Sequence, residues 1–287
     1  MSREEVIITG IMDNDISIIQ QTELGILKHV LAICEKHGIN YYMLGGTLLG
    51  AVRHQGIIPW DDDIDIGVPR PDYERLLGFL ESELDEPYEI QTEMNQKGLY
   101  SYYYARVVDK TVLLRRQRSV EPVIIPAWID LFPLDGVPKD PKVFDKWYKK
   151  CSRLYTLFMF SQFKYFYSIT DVKGRRFRAL KIFVKKAFYK LNLEKLINTR
   201  KAWCKLDKNL KKYDYNESDS VFNFCGAWGI KELFDKKTYG EGKIYKFEDL
   251  LLNGPEDYDT VLSQMYGDYM TPPSDADKNR HLVEIVR

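Results

Sequence analysis

The chain has 287 residues, of which 45% are hydrophobic and 14% aromatic, and its 42 basic side chains balance its 42 acidic ones. That composition is sufficient for a buried core in one large domain, or in one domain with a helical appendage. The zero net charge argues against a nucleic-acid-binding protein. The four cysteines are widely spaced without a CxxC pair, which argues against a structural zinc site and against a disulfide framework.

Expectations about the cell compartment follow from features that the sequence lacks. The first ten residues, MSREEVIITG, contain no basic region followed by an apolar run, so we expect no signal peptide. No apolar run approaches the roughly 18 residues that a membrane-spanning helix needs. Together with the cysteine spacing, these observations favour a cytoplasmic protein in a reducing environment.

The first third of the chain alternates between helical and strand patterns. The predicted elements are, in order, a helix at 13–36, a strand at 41–44, a helix at 47–52, a strand at 63–68 and a helix at 71–84. Gly38 is placed to end the first helix, and Thr47 lies near the N-cap of the second. A proline near the start of the third helix suits the first helical turn.

Further strands are predicted at 88–92, 102–108, 112–115 and 127–132. This alternation of helix and strand predicts an α/β fold of the α+β type with a mixed sheet. Composition then changes, because residues 142–212 carry almost no strand signal. We therefore divide the chain into a catalytic core at 1–141, a basic, aromatic-rich helical insertion at 142–212, and a C-terminal part at 213–287 that packs back on the core.

Two glycines stand where the first predicted strand gives way to a helix. Gly45 and Gly46 would let the backbone approach a ligand closely, and Thr47 follows at the helix start. The N-terminus of a helix attracts anions through its free N–H groups. An ordinary tight turn would use the same glycines, so the two glycines indicate a phosphate site only in combination with the aspartates that follow them.

Four aspartates lie within five residues, at positions 61, 62, 63 and 65. In a strand, Asp63 and Asp65 share one face while the isoleucines between and after them face the core. Carboxylates side by side repel each other unless a cation neutralises them, and Mg²⁺ prefers carboxylate and phosphate oxygens. The pattern predicts a Mg²⁺-dependent enzyme acting on a phosphate. Combined with the glycine turn, it is typical of a nucleotidyltransferase-like core.

The remaining aspartates of this region have different interpretations. Asp61 and Asp62 are interpreted as turn-capping, supporting or solvated residues, with direct contact to a metal as the alternative, since Asp61 shares strand parity with the pair. Asp130 is the candidate third carboxylate, because it is a lone acid in an apolar strand, where a buried charge needs a partner. Asp135 precedes a glycine and is interpreted as shaping a turn.

These motifs resemble the signature of the LicD family. The resemblance lies in GGTLLGAVRH at residues 45–54 and IPWDDDID at 58–65, with shorter likenesses at 127–136 and 266–272. Members of that family are similar to phosphocholine transferases of bacterial surface glycans and to fukutin-related ribitol-phosphate transferases. The resemblance implies a nucleotidyltransferase fold and transfer of a phosphorylated alcohol from a CDP carrier, with CDP-choline favoured as donor. The implied acceptor is a sugar hydroxyl of a glycan or lipid-linked precursor, such as teichoic acid or lipopolysaccharide.

The resemblance also implies how the acidic residues act. Asp63 and Asp65 would hold Mg²⁺, with Mn²⁺ as an alternative ion, and the metal would offset charge in the transition state. Asp130 would add a metal ligand or act as general base toward the acceptor hydroxyl. Positioning and electrostatics would supply most of the rate.

Basic residues would complete the substrate site beside Gly45, Gly46 and Thr47. Arg53 and Arg106 would grip phosphate oxygens with their forked donors. For Arg106 a structural ion pair is an equally good interpretation. His54 is a further candidate, with loop packing as its alternative.

Recognition of choline would need aromatic side chains. A quaternary ammonium group favours an aromatic cage, and the chain has a cluster of tyrosines at 100, 102, 103 and 104. Strand alternation would put only half of that cluster on one face. The choline assignment therefore comes from the family resemblance.

The helical insertion is strongly basic. Between residues 173 and 212 there are fifteen Lys or Arg side chains and two acidic ones. Helical spacing over 175–190 puts five apolar residues on one side: Phe177, Leu180, Val184, Phe188 and Leu191. Three interpretations stay open: an amphipathic helix on an anionic membrane, a face for a polyanionic polymer, or a solvated helix with its apolar stripe in the core.

Two rival functions are compatible with the sequence. One is a nucleotidyltransferase of the same fold that transfers a nucleoside monophosphate to a small molecule. The other is a non-catalytic, membrane-associated glycan-binding protein that kept the fold, against which the intact aspartate pair argues.

Overall fold

The computed structural model describes residues 3–96, 102–116, 120–121, 123–167, 178–274 and 283–286, so Tyr100 and Phe177 lie outside the described residues. The core begins with α1 (Arg3–His37), β1 (Tyr42–Met43), α2 (Gly45–His54), β2 (Asp65–Pro69), α3 (Arg70–Glu83), β3 (Tyr88–Gln91), α4 (Glu93–Gln96), β4 (Ala105–Arg116) and β5 (Val123–Gly136). Helices follow: α5 (Pro141–Phe160), α6 (Phe163–Phe166), α7 (Arg178–Lys190) and α8 (Thr199–Leu210). The C-terminal part contains β6 (Ser220–Phe222), β7 (Leu233–Asp235), α9 (Lys236–Tyr239), β8 (Lys243–Phe247), β9 (Leu250–Gly254), α10 (Tyr258–Tyr266) and β10 (Val283–Ile285).

An eight-stranded mixed sheet organises these elements. Its main path runs β1-β2-β5-β4-β10. Strand β3 also pairs with β4, β6 pairs with the end of β5, and β7 pairs with β6. The pair β2–β5 is parallel and the other described pairs of this sheet are antiparallel. The sequence prediction of an α/β fold with a mixed sheet is thus confirmed. A separate hairpin, β8–β9, packs beside β1 and α2.

The core lies between α1 and the sheet. Ile26, Leu27 and Val30 of α1 are fully buried, and Ile64 and Ile66 are buried around the start of β2, as the alternating pattern predicts. The helix ends at His37, and Gly38 adopts a φ of +59°, the left-handed conformation that suits glycine after a helix. Across the described residues, no helix combines the length and apolar character needed to cross a membrane.

Three local predictions were wrong. Helix α2 begins at Gly45 with Leu44 as its N-cap, two residues earlier than predicted, and Thr47 lies in its first turn. Strand β2 begins at Asp65, two residues later than predicted. The two strands predicted at 102–108 and 112–115 are one strand, β4, with a register shift between Asp109 and Leu113. The Asp109 carboxylate accepts from the backbone and hydroxyl of Thr111 at 2.8 and 2.6 Å, so the irregularity is stabilised locally.

Asp135 was also misread as a turn residue. It lies within β5, opposite Phe222 of β6, and is almost completely buried. Its two carboxylate oxygens accept from Nε and Nη2 of Arg70 at 2.7 and 2.8 Å. A carboxylate can be buried at this position because a guanidinium satisfies both of its oxygens.

A second hydrophobic cluster joins the helical region to its surroundings, because it also includes Tyr103, Val137 and Phe222. Trp147, Cys151 and Phe158 of α5 pack against Ala202, Leu206 and Leu210 of α8. Helix α7 differs from its neighbours, because none of its side chains is buried. All four cysteines are free thiols, as the sequence predicts.

Candidate active site

The glycine turn and the aspartates lie against each other. The backbone N–H of Leu44 donates to the Asp65 carbonyl at 3.1 Å, so α2 starts directly beside the first residue of β2. A Cβ atom placed on Gly45 would lie 3.2 Å from Oδ2 of Asp65, and one on Gly46 would collide with the Asp61 carboxylate. Glycine suits this close approach, and at Gly45 it also suits the positive φ of +48°. The start of α2 lies beside these carboxylates, and its free N–H groups would suit phosphate oxygens.

Thr47 fixes the position of Asp65. Its hydroxyl accepts from the backbone N–H of Asp65 at 2.8 Å. That contact joins the first turn of α2 to the first residue of β2, and it gives Thr47 a structural task. Its predicted contact with substrate stays a prediction.

Asp65 and Asp130 stand side by side. They are register partners on the parallel strands β2 and β5, and the Asp130 N–H donates to the Ile64 carbonyl at 2.9 Å. Partners in register on adjacent strands present their side chains on the same face of a sheet. Asp63 lies two residues before Asp65, in the irregular segment that leads into β2.

The electrostatics of Asp65 identify a strongly anionic site. Burial raises the pKa of Asp65 well above its ordinary value, and the charges of Asp63, Asp130, Asp61 and Glu232 raise it further. Its Oδ1 atom is buried and accepts no hydrogen bond. A buried carboxylate oxygen without a donor is costly unless a cation or proton satisfies it.

The acidic cluster meets the chemical requirements of Mg²⁺. The donor atoms are carboxylate oxygens, which Mg²⁺ prefers, and the orphaned oxygen of Asp65 provides one ligand. Within the described ranges, however, no three acidic, histidine or cysteine side chains converge closely enough to form a ready-made metal site. The residues fit the ion in charge and chemistry, and side-chain movements would have to bring them together around it.

Arg106 is bound to Asp130. Its Nε donates to Oδ1 of Asp130 at 2.7 Å, and both side chains are buried. The guanidinium lies 3.6 Å from the ring centre of Tyr102 and 4.3 Å from that of Trp128, a geometry typical of cation–π contacts. The structure thus shows the ion pair that was one of the two interpretations of Arg106, while a phosphate contact remains a prediction.

Arg53 and His54 lie at the other end of α2. Arg53 is eight residues from Gly45, about 12 Å along the helix axis. Its Nη1 donates to the Tyr269 carbonyl at 2.7 Å, and its guanidinium lies 5.9 Å from the Trp60 ring. Burial, and then the charge of Arg53, lower the pKa of His54. Along α2 this pair lies away from the glycine turn, yet the charges of Tyr266 and Asp61, which both lie beside the glycines, act on Arg53.

Sequence reasoning missed several residues around this site. Glu23 of α1 is fully buried near the aspartates, and Tyr266 of α10 brings its hydroxyl near Gly45. Glu232 is buried, which raises its pKa to about 7, although Asn223 and the Trp228 backbone donate to it at 2.7 and 2.9 Å. Glu23 left a signal in the sequence, because it falls four residues after Ile19 and four before Leu27, on the apolar stripe of its helix. Tyr266 begins the segment at 266–272 in which the sequence resembles the family.

The described tyrosines of the cluster do not form a cage. The Tyr102 ring stacks on Arg106, and the Tyr103 hydroxyl accepts from Arg70 and donates to Asp207, each at 3.0 Å. The Tyr104 ring centre lies 4.2 Å from that of Phe132. These rings are used for packing. The aromatic pair beside the glycine turn is instead Trp228 with Tyr266, whose ring centres are 4.8 Å apart.

Comparison with known proteins places the site within one family. Residues 38–156 match the LicD/FKTN/FKRP nucleotidyltransferase domain, and this range includes every predicted site residue. The chain is 32% identical over 269 residues to the lipopolysaccharide cholinephosphotransferase LicD of Haemophilus influenzae, covering 91% of this chain and 93% of that protein. It is 49% identical over 41 residues to the human ribitol 5-phosphate transferase FKRP, covering 14% of this chain and 8% of that protein. An uncharacterized protein of Rickettsia prowazekii, RP689, is 53% identical over 55 residues, or 19% of this chain and 21% of its own.

Proposed function

The chain belongs to the LicD family, and from this membership we propose that it transfers phosphocholine from CDP-choline to a sugar hydroxyl of a cell-surface glycan, with Mg²⁺ as cofactor. The Haemophilus relative, which aligns along nearly the whole chain, is named for phosphocholine transfer to lipopolysaccharide. Lipopolysaccharide is therefore the favoured acceptor class and teichoic acid the alternative. The observation that carries the proposal is the partnerless buried oxygen of Asp65 among further carboxylates, beside the N-terminus of α2.

The proposed reaction is a single displacement at phosphorus. The acceptor oxygen forms a bond to the phosphorus that carries choline, the bond to the bridging oxygen breaks, and CMP leaves with that electron pair. Asp63 and Asp65 would hold Mg²⁺, which supplies charge neutralisation for the leaving phosphate. The N–H groups at the start of α2 would orient phosphate oxygens.

Asp130 would handle the proton or complete the metal site. Arg106 already donates to its Oδ1, so a proton-accepting or metal-binding role falls to Oδ2. The same ion pair orients the carboxylate, because Arg106 is itself held between two aromatic rings. Positioning of this kind is how phosphoryl-transfer enzymes gain most of their rate.

For choline we propose the aromatic pair Trp228 and Tyr266. The Trp228 side chain is partly exposed, and the Tyr266 hydroxyl lies close to Gly45 and to the charges of Asp65, Asp61 and Asp63. A quaternary ammonium gains from an aromatic face and from nearby negative charge. The Lys231 ammonium group lies 5.5 Å from the centre of the Trp228 ring, the kind of contact that a choline headgroup would make with the same ring.

The products distinguish this proposal from its rivals. We expect CMP to be released when the protein is incubated with Mg²⁺ and CDP-choline, faster than with CDP-ribitol or CDP-glycerol, and EDTA to stop the release. Pyrophosphate release from a nucleoside triphosphate, without CMP from any CDP-alcohol, would instead establish nucleotidyl transfer. Absence of both products together with glycan binding would support the non-catalytic alternative.

We further propose that α7 holds the enzyme on an anionic membrane surface. Leu180, Phe183, Val184 and Leu191 form one exposed apolar stripe, with exposures of 58, 68, 56 and 67%. This contradicts the interpretation that the stripe lies in the core. Four basic residues lie on the other sides of the helix: Arg178, Lys181, Lys185 and Lys186. An exposed apolar stripe flanked by basic residues suits the interface of an anionic bilayer.

The contacts of α7 explain why its stripe faces outward. Phe188 anchors the helix, with its ring centre 5.3 Å from that of Phe160 and 5.0 Å from that of Phe163. Phe188 lies near the C-terminal end of α7, so these contacts hold that end of the helix. The preceding turns present their apolar residues, Leu180, Phe183 and Val184, to the surroundings.

Vesicle binding tests the membrane proposal. We expect Phe183→Glu to weaken binding to vesicles of phosphatidylcholine and phosphatidylglycerol by about 10-fold or more, because burial of an aromatic ring in the bilayer interface contributes about 1.5–3 kcal/mol. Leu251→Glu is the matched control, because Leu251 is similarly exposed on β9. The proposal would be contradicted if wild-type protein did not bind these vesicles at low salt, or if it bound only a soluble polyanion.

A further inference from the structure

One acidic residue lies where an apolar side chain is expected. Glu23 occupies the buried stripe of α1, between Ile19 and Ile26, and is 1% exposed. Its Oε2 atom is buried and has no hydrogen-bond partner. A carboxylate in such a position destabilises the fold unless a proton or a cation compensates it.

The surroundings of Glu23 are themselves acidic. Burial raises its pKa well above the ordinary value, and the charges of four aspartates raise it further: Asp63, Asp62, Asp61 and Asp130. Gln20, one turn earlier on α1, donates to the Asp61 and Ile58 carbonyls at 2.8 and 3.3 Å. The helix is therefore tied to the aspartate loop on the side where Glu23 lies.

Several carboxyl groups lie around this point. The charges of Asp61, Asp63 and Asp130 act on Glu23, and the charges of the same three residues act on Asp65. Arg106 binds directly to Asp130. A concentration of carboxylates attracts divalent cations strongly.

We propose that Glu23 supplies a further carboxylate to the cation site of Asp63, Asp65 and Asp130, approaching it from α1. This inference rests on the proposed Mg²⁺ dependence and deepens it. It gives α1, which lies outside the part of the chain that matches the family domain, a direct task at the site. It also accounts for an acidic residue in an apolar stripe, because the bound cation would compensate the buried charge.

Metal binding tests this role without any measurement of turnover. Mn²⁺ is titrated into metal-free protein and followed by electron paramagnetic resonance and by thermal melting. We expect Glu23→Gln to weaken Mn²⁺ binding by about 10- to 100-fold. The metal-free variant should melt at a higher temperature than wild type, since a buried repulsion is removed, and Mn²⁺ should raise its melting temperature less.

Glu194→Gln is the matched control. Glu194 is also buried with a partnerless Oε2, but it lies in the short helix at Leu193–Leu196, between α7 and α8. We expect this variant to bind Mn²⁺ like wild type. If Glu23→Gln does not fold, Glu23→Met can replace it, because methionine places an apolar side chain of similar length in the stripe. We expect this variant to bind Mn²⁺ as weakly as Glu23→Gln.

The outcomes separate this inference from the proposed function. Equal Mn²⁺ affinity of wild type and Glu23→Gln would overturn the role of Glu23 and leave the metal dependence standing. If wild type bound no Mn²⁺, the proposed metal dependence would itself fail, and the inference with it. Weaker binding in Glu23→Gln but not in Glu194→Gln supports the assignment.

Discussion

Replacing Asp63 with asparagine is expected to lower the rate of phosphocholine transfer on the order of 1,000-fold, or about 4 kcal/mol of transition-state stabilisation. The change keeps the size of the side chain but removes a charge that acts on both Asp65 and Glu23. The fold should survive, because Asp63 precedes β2 and Ile64, its buried neighbour, is unchanged. CMP release from CDP-choline measures the loss, and thermal melting of the metal-free protein checks the fold.

A neighbouring substitution serves as the control for this prediction. Asp62 is buried beside Asp63, yet it is not among the charges that chiefly raise the pKa of Asp65. We expect Asp62→Asn to cost less than about tenfold in rate, as a supporting residue would. Near-wild-type turnover by Asp63→Asn would remove Asp63 from the metal site.

Local patterns account for the part of the site that sequence reasoning found. Strand alternation and the start of a helix both act over a few residues, so the glycines at 45 and 46 and the aspartates at 63 and 65 were recognisable. The parallel pairing of β2 with β5 then brings Asp130 beside Asp65. That pairing joins residues far apart in the chain, and Asp130 was recognised because a lone acid in an apolar strand needs a partner.

The rest of the site depends on packing between distant segments. Glu23 reaches the aspartates only because α1 lies across the sheet, and Tyr266 only because α10 packs against α2. Hydrophobic periodicity within one segment does not predict these contacts, because they depend on which faces of distant segments pack together in the fold. The tyrosines at 102–104 show the same limit, because they precede β4 and their partners, such as Arg106, Asp207 and Phe132, come from other segments.

The second large effect concerns stability. Asp135→Ala is expected to lower the free energy of unfolding by about 3–5 kcal/mol, because it leaves the buried Arg70 guanidinium without its bidentate partner. Replacing both residues, as Arg70→Met with Asp135→Leu, should cost less than the single change, because no charge then remains buried. Denaturant unfolding of the two variants and wild type measures the difference, and a double variant that is less stable than Asp135→Ala would contradict the argument.

The position of Asp135 also separates stability from chemistry. It lies five residues after Asp130 on β5, so the two side chains point to opposite faces of the strand. Asp135→Ala should therefore retain substantial transfer activity at low temperature, where enough protein remains folded, and lose it at a lower temperature than wild type. Asp63→Asn should show the reverse, a normal melting temperature with almost no turnover. If both variants lost activity and stability together, the ion pair and the carboxylate site would not be the independent units that the two faces of β5 indicate.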